Sequence, residues 1–129
     1  MNSKMPSVLK EICRRKWDNV ASLLARPRGE WERAAMDQPP AKSFSQAIQG
    51  SRMKLIAEFK RASPSKGHIR PGAQPEEIAS LYQESGAAAI SVLTNSSFSG
   101  ELEDLRRIRR VVDLPILRKD FILHPVQIY

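Results

Sequence analysis

Leu55-Ile56-Ala57-Glu58-Phe59-Lys60, running on into Arg61-Ala62-Ser63-Pro64-Ser65-Lys66-Gly67, changes the texture of the chain. Before it, apolar residues fall at helical spacing among charged ones; after it, short apolar runs alternate with amphipathic stretches. That alternation produces parallel strands joined by crossover helices. Residues 55–59 read as the first strand. Pro75–Glu84 reads as a helix, with Pro75 in its first turn, Glu76 and Glu77 beside the positive end of the dipole, and Gly86 just past the C-terminus. Residues 88–93 read as the second strand. Residues 101–112 read as a second helix with Leu102, Leu105 and Ile108 on one face, acids early and arginines late. Ile116–Lys119 reads as the third strand.

The strands begin near 55, 88 and 116, a pitch of roughly 30 residues, which is that of a (βα)-repeat; a closed eight-stranded barrel at this pitch needs about 250. The expected fold class is therefore α/β: the N-terminal part of a (β/α)8 barrel, three parallel strands with crossover helices behind a helical extension. Residues 55–129 supply about two and a half βα units, and the third strand is expected to leave an open edge. Ahead of them, Val8, Leu9, Ile12, Trp17, Val20, Leu23 and Leu24 predict a helix over Ser7–Leu24, stopped by Pro27 and Gly29. A short helix over 30–36 follows, and Pro39-Pro40 opens a linker with Phe44 and Ile48 as apolar anchors. The expected division is thus 1–54, helical extension and linker, and 55–129, incomplete barrel.

Composition narrows the function classes. The chain has 129 residues, 41% hydrophobic and 27% charged, which suits a folded domain rather than a disordered one. No run reaches the roughly 20 apolar residues of a membrane span, and Met1-Asn2-Ser3-Lys4-Met5-Pro6 has no apolar stretch behind it to act as a signal peptide. A soluble, cytoplasmic protein is expected, with no membrane partner. Cys13 has no second cysteine to pair with, and His68 and His124 are too few for a structural zinc cluster, so no metal is expected.

Side chains alternate along a strand, so Ile56, Glu58 and Lys60 share one face and Leu55, Ala57 and Phe59 the other. On the third strand Leu117, Lys119 and Phe121 share a face. A carboxylate and two ammonium groups thus fall at C-terminal strand ends, where parallel sheets gather their ligands. Two cations around one acid favour an anionic substrate and suit general acid-base work on a phosphorylated or carboxylated molecule. The loop 61–67 adds hydroxyls and cations, a weak signal because Ser-Pro turns with basic residues are common on surfaces.

Three ordered strings resemble one family. Residues 57–67, then Ile90-Ser91-Val92-Leu93-Thr94, then Pro115-Ile116-Leu117-Arg118-Lys119-Asp120-Phe121-Ile122 are similar to the first three strand motifs of indole-3-glycerol phosphate synthase. The helical leader resembles that family's N-terminal extension. The resemblance implies a TIM barrel that converts 1-(2-carboxyphenylamino)-1-deoxyribulose 5-phosphate into indole-3-glycerol phosphate, carbon dioxide and water, in tryptophan biosynthesis and without a cofactor. It implies that Lys119 is the general acid toward the substrate carbonyl, that Lys60 grips anionic groups and assists as an acid, and that Glu58 takes part in proton transfer during dehydration. It further implies substrate contacts from Ser63 and Pro64, with Leu93, Phe98 and Phe121 holding the aromatic ring. After Thr94, Asn95-Ser96-Ser97-Phe98-Ser99-Gly100 runs about one residue shorter than the family's usual approach to its Phe-x-Gly turn. The resemblance spans only about the first half of the family's length, without the later-strand groups and phosphate-binding loops. Residues 1–129 alone are accordingly expected to be inactive, with the remaining barrel portion, or self-association through the open edge, as the expected macromolecular partner.

Two other function classes stand beside the enzyme: an inactive partial-barrel assembly module and a basic nucleic-acid binder. The net charge of +7 and the run Arg106-Arg107 with Arg109-Arg110 invite the latter. A solvated outer helix face is the preferred reading, because aromatics, at 6%, do not interleave with the basic residues as a stacking platform requires. No nucleic-acid partner is expected. Cys13 reads as an ordinary helical cysteine, and His68 and His124 as loop histidines.

Overall fold

The computed structural model describes residues 7–129; the first six residues of the expected extension, and with them the Met1–Pro6 reading, lie outside the described residues. The chain forms two compact units, residues 7–40 with Phe121–Tyr129, and Ala41–Asp120.

The first unit is helical. α1 spans Ser7–Leu24, within the predicted bounds, and buries Ile12 and Val20, eight residues apart and hence on one face of a helix. α2 (Arg28–Met36) begins two residues before the predicted start, straight after Pro27. The C-terminal segment ends in a 3-10 turn, Pro125–Gln127, that packs against α1. Gln127 is buried and organises that turn: its Oε1 accepts from the N–H groups of Leu123 and His124 (2.7 and 3.0 Å), and its Nε2 donates to the Phe121 carbonyl (3.2 Å). Trp31 lies against Tyr129, with ring centroids 4.7 Å apart.

The second unit carries the sheet. After the short helix α3 (Phe44–Ala47) come β1 (Ile56–Phe59), a small antiparallel pair β2 (Ala62–Ser63) and β3 (Gly67–His68), α4 (Pro75–Glu84), β4 (Ala89–Leu93), α5 (Leu102–Arg109) and β5 (Ile116–Lys119). The main sheet has the order β1-β4-β5, parallel throughout, as the repeat pattern predicts. Its register aligns Glu58 with Ser91 and Ser91 with Leu117, and Leu93 with Lys119. One face, Phe59, Ile90, Val92 and Ile116, packs against Ile78 and Ala79 of α4 and Leu105 and Ile108 of α5. Ile90, Val92 and Ile108 are fully buried, each side chain contributing about 1.5–3 kcal/mol by removal from water. α4 stops because Gly86 takes φ +85°, a left-handed conformation in which a side chain would be strained.

The structure gives the first loop a definite form and corrects two readings of α5. The loop after the first strand is a tight hairpin: the Arg61 carbonyl accepts from Ile69 and Arg70 (2.8 and 3.2 Å), and Ser63 Oγ accepts from the Lys66 N–H (3.2 Å). In α5, Leu102 is 47% exposed rather than in the core. Six residues at 3.6 per turn put it about 120° around the helix from Ile108, and the buried residue of the first turn is Asp104. The helix also ends at Arg109, although the Val112 N–H still bonds back to the Ile108 carbonyl (3.2 Å) and Val112 joins the core.

Candidate active site

β1 and β5 are separated by β4, so Glu58 and Lys119 start from backbones roughly 10 Å apart, two strand spacings. On β4 Ser91 lies beside Glu58 and Leu93 beside Lys119, so the two side chains reach toward each other across β4 from levels two residues apart. Lys119 Nζ donates to Glu58 Oε2 at 2.6 Å, and Lys60 Nζ lies 3.1 Å from Glu58 Oε1. One carboxylate therefore sits between two ammonium groups at the C-terminal ends of two strands. Burial by itself pushes the Glu58 carboxyl up, but the hydrogen bonds from Lys119 and Lys60 outweigh it and hold the group below the usual glutamate range. Glu58 is thus ionised at neutral pH, with each oxygen facing a cation. The arrangement presents two proton donors around a fixed negative charge and suits a substrate that is itself anionic.

Several groups around this centre have no role assigned from the sequence, although Arg61, Thr94, Arg118 and Asp120 lie inside its family-like strings. Arg61 makes a two-pronged contact with Asp104, Nη1 to Oδ2 at 2.5 Å and Nη2 to Oδ1 at 2.7 Å, and Asp104 is fully buried. The guanidinium also donates to the carbonyls of Ser99 (3.2 Å) and Ala73 (3.3 Å) and stacks 4.9 Å above the Phe59 ring. It ties the chain leaving β1 to the start of α5. Tyr82 of α4 donates its hydroxyl to the Glu58 carbonyl (3.1 Å), holding the backbone under the carboxylate from behind. Past β4 and β5, Thr94, Asn95, Arg118 and Asp120 form a second polar cluster.

The remaining predicted residues are placed less uniformly. Ser63 and Pro64 lie in the hairpin; Ser63 is half-buried, with bonds to Ser65 and Lys66 in its own turn, and Pro64 is exposed. Leu93 ends β4 in register with Lys119 and is 5% exposed. Phe98 closes the 3-10 turn Ser96–Phe98 and is half-buried. That short connection is built by Asn95, whose Oδ1 accepts from the Ser97 N–H (2.9 Å), and by Gly100, where a Cβ would overlap the Leu93 carbonyl. Phe121 belongs to the helical unit. His68 lies exposed in β3, and His124 caps the C-terminal 3-10 turn, its Nδ1 accepting from Val126 (3.1 Å). Cys13 is a half-buried free thiol on α1.

The arginines of α5 are largely engaged. Arg107 pairs with Glu76 (2.5 and 2.6 Å) and Gln74 (2.8 Å), Arg106 with Glu103 (3.0 Å), and Arg109 caps the Leu114 carbonyl (2.8 Å). Among the described residues no group of three or more His, Cys, Asp or Glu is disposed to hold a metal ion, and no helix is long and apolar enough to cross a membrane.

A parallel βαβαβ array with its charged groups collected at the C-terminal strand ends is the local architecture of the (β/α)8-barrel class. The family model described as indole-3-glycerol phosphate synthase matches residues 9–129. Curated relatives of that name include the protein of Neisseria meningitidis serogroup C, 45% identical over 131 aligned positions that cover 97% of this chain and 50% of the relative. Another, from Hyphomonas neptunium, is 45% identical over 130 positions, covering 96% and 49%; a third, from Bacteroides thetaiotaomicron, is 49% identical over 92, covering 70% and 35%. The chain belongs to the indole-3-glycerol phosphate synthase family. It spans about half the length of the first two of these relatives.

Proposed function

We propose that this chain contributes the first acid-base cluster of an indole-3-glycerol phosphate synthase, a carboxy-lyase that closes the indole ring of 1-(2-carboxyphenylamino)-1-deoxyribulose 5-phosphate with loss of carbon dioxide and water, in cytoplasmic tryptophan biosynthesis and without a cofactor. The observation that carries this is the Lys119–Glu58–Lys60 arrangement, 2.6 and 3.1 Å, at one rim of the sheet. In this reading Lys119 protonates the substrate carbonyl as the ring closes. Lys60 draws in the substrate's negative charge and assists as a second acid. Glu58 orients both amines and takes part in moving the proton released during dehydration. Ser63, Pro64, Leu93 and Phe98 contribute to the walls of the substrate site. The division into an extension over 1–54 and barrel units from 55 belongs to the same reading.

Ring closure depends on holding the reacting atoms together, a term that can account for about 7–11 kcal/mol of barrier. Three strands supply an acid but do not enclose a substrate, so residues 1–129 alone are expected to be inactive. Within the described residues β1 and β5 are both sheet edges, which favours completion by further strands or by self-association over recognition of nucleic acid, as does the pairing of the α5 arginines.

The test is a fluorescence assay for the indole product with Lys119→Ala in the full-length protein. Removing a general acid is expected to lower kcat by about 10²–10⁴-fold while the protein stays folded. Undiminished turnover by Lys119→Ala would refute the assignment, and turnover by isolated, monomeric residues 1–129 would refute the need for further strands.

A further inference from the structure

We propose that Asp120 is a positioning residue for Lys119, a role that rests on the reading of Lys119 as the proton donor. Lys119 is the last residue of β5, an edge strand bonded only to β4 within this sheet, and its side chain is 54% exposed. A long, flexible amine in that position is aimed by its ion pair with Glu58, 2.6 Å away, and by the backbone that carries it, which is held on either side of Lys119.

The Asp120 side chain is 1% exposed. Its Oδ2 accepts from Arg118 Nη2 (2.9 Å) and Thr94 Oγ1 (3.1 Å), and its Oδ1 from Asn95 Nδ2 (3.1 Å). Arg118 Nε reaches the same threonine hydroxyl (3.4 Å), and the Thr94 N–H donates to the Lys119 carbonyl (3.1 Å). The residues before and after Lys119, and its own carbonyl, are therefore all tied to the end of β4. Stability alone does not ask for this, since a buried ion pair is commonly no better for folding than well-packed apolar side chains of the same volume. A buried carboxylate does supply direction, because its bonds are short, charge-assisted and restricted in angle. The Arg118–Asp120 pairing also prevents a lone second cation beside Lys119, whose facing charges are then Glu58 on β1 and, through it, Lys60 just past that strand.

The test is steady-state kinetics on the full-length protein with the phosphorylated, carboxylated substrate of the proposed reaction. Asp120→Asn keeps the volume and one acceptor but removes the charge. It is expected to lower kcat roughly a hundredfold, the scale of a misplaced reacting group, while KM stays within about threefold. In a Lys119→Ala background the same substitution is expected to change kcat by less than about twofold, because groups that act as a unit are not additive. Equal losses in both backgrounds would mean a purely structural role and overturn the proposal, as would an unchanged kcat in Asp120→Asn. Full activity in Lys119→Ala alone would remove the reading of Lys119, an outcome separable from either. If Asp120→Asn fails to fold, Arg118→Leu with Asp120→Leu removes both charges together. A folded double variant is expected to show the same kcat loss, and one with normal kcat overturns the proposal.

Discussion

The two faces of the β1-β4-β5 sheet are made by alternate residues of the same strands, yet they differ in almost every physical respect. On one, Phe59, Ile90, Val92 and Ile116 meet the apolar stripes of α4 and α5. On the other, Glu58, Ser91 and Lys119 bring charge and a small polar residue to the strand ends, and Ile56 and Leu117 remain 43% and 46% exposed. The sheet's cohesion thus resides on the helix-facing side. The opposite side can then hold a carboxylate between two ammoniums, whose support of the fold is confined to that ion-paired rim.

The strongest way to break this division is to attack the helix-facing side where it is polar. Asp104→Ala leaves Arg61 without its carboxylate in a buried setting and is expected to cost about 3–5 kcal/mol in urea unfolding, whereas a loss below 1 kcal/mol would show that the pair is not part of the cohesive layer. Ile90→Val, on the same side, should cost about 0.5–1.5 kcal/mol; Leu117→Val, on the other, should stay within about 0.5 kcal/mol, and equal losses at the two positions would erase the distinction between the faces.

Acid sharpens the comparison further. The folded Glu58 carboxyl titrates below its ordinary value near 4.5, through its hydrogen bonds to the lysines. Its contribution is therefore complete above about pH 4.5 and is lost as pH falls through the lowered folded value. Unfolding followed from pH 7 to 3 should show Glu58→Gln with a shallower acid decline than the parent chain; identical slopes would contradict the linkage. The smallest effect is expected in the helical unit, where hydrogen bonds from Arg14 and Arg15 bring Glu11 to about 2. These groups are exposed and screened by solvent, so Glu11→Gln should leave the melting temperature unchanged, and a clear drop would mark a contact beyond that exposed cluster.

Much of this was legible residue by residue. Ser7–Leu24 and Pro75–Glu84 carry helical spacing and stop signals within the segment itself, and β5 spans its predicted residues. Glu58, Lys60 and Lys119 could be grouped because strand alternation and parallel order together send them to one rim. Arg61 and Asp104 could not: they are 43 residues apart, one read as a loop cation and the other as an acid complementing a helix dipole. Leu102, Leu105 and Ile108 lie near helical spacing and look like one face, but Asp104 turns inward to Arg61 and to the Glu101 N–H. Asp120 had no signal beyond its place inside a family-like string.

The amino-acid sequence by itself determined the βαβαβ order, the parallel sheet and the three charged residues at its rim, since these follow from periodicities that act over a few neighbouring positions. Only packing brings Glu58 across β4 to Lys119, holds Arg61 on Asp104 and secures the end of β5 through Asp120. Each of these contacts joins groups on different strands or helices. Side-chain direction and reach after folding set such contacts, and no local pattern encodes the distance between residues that the chain brings together only when it is packed.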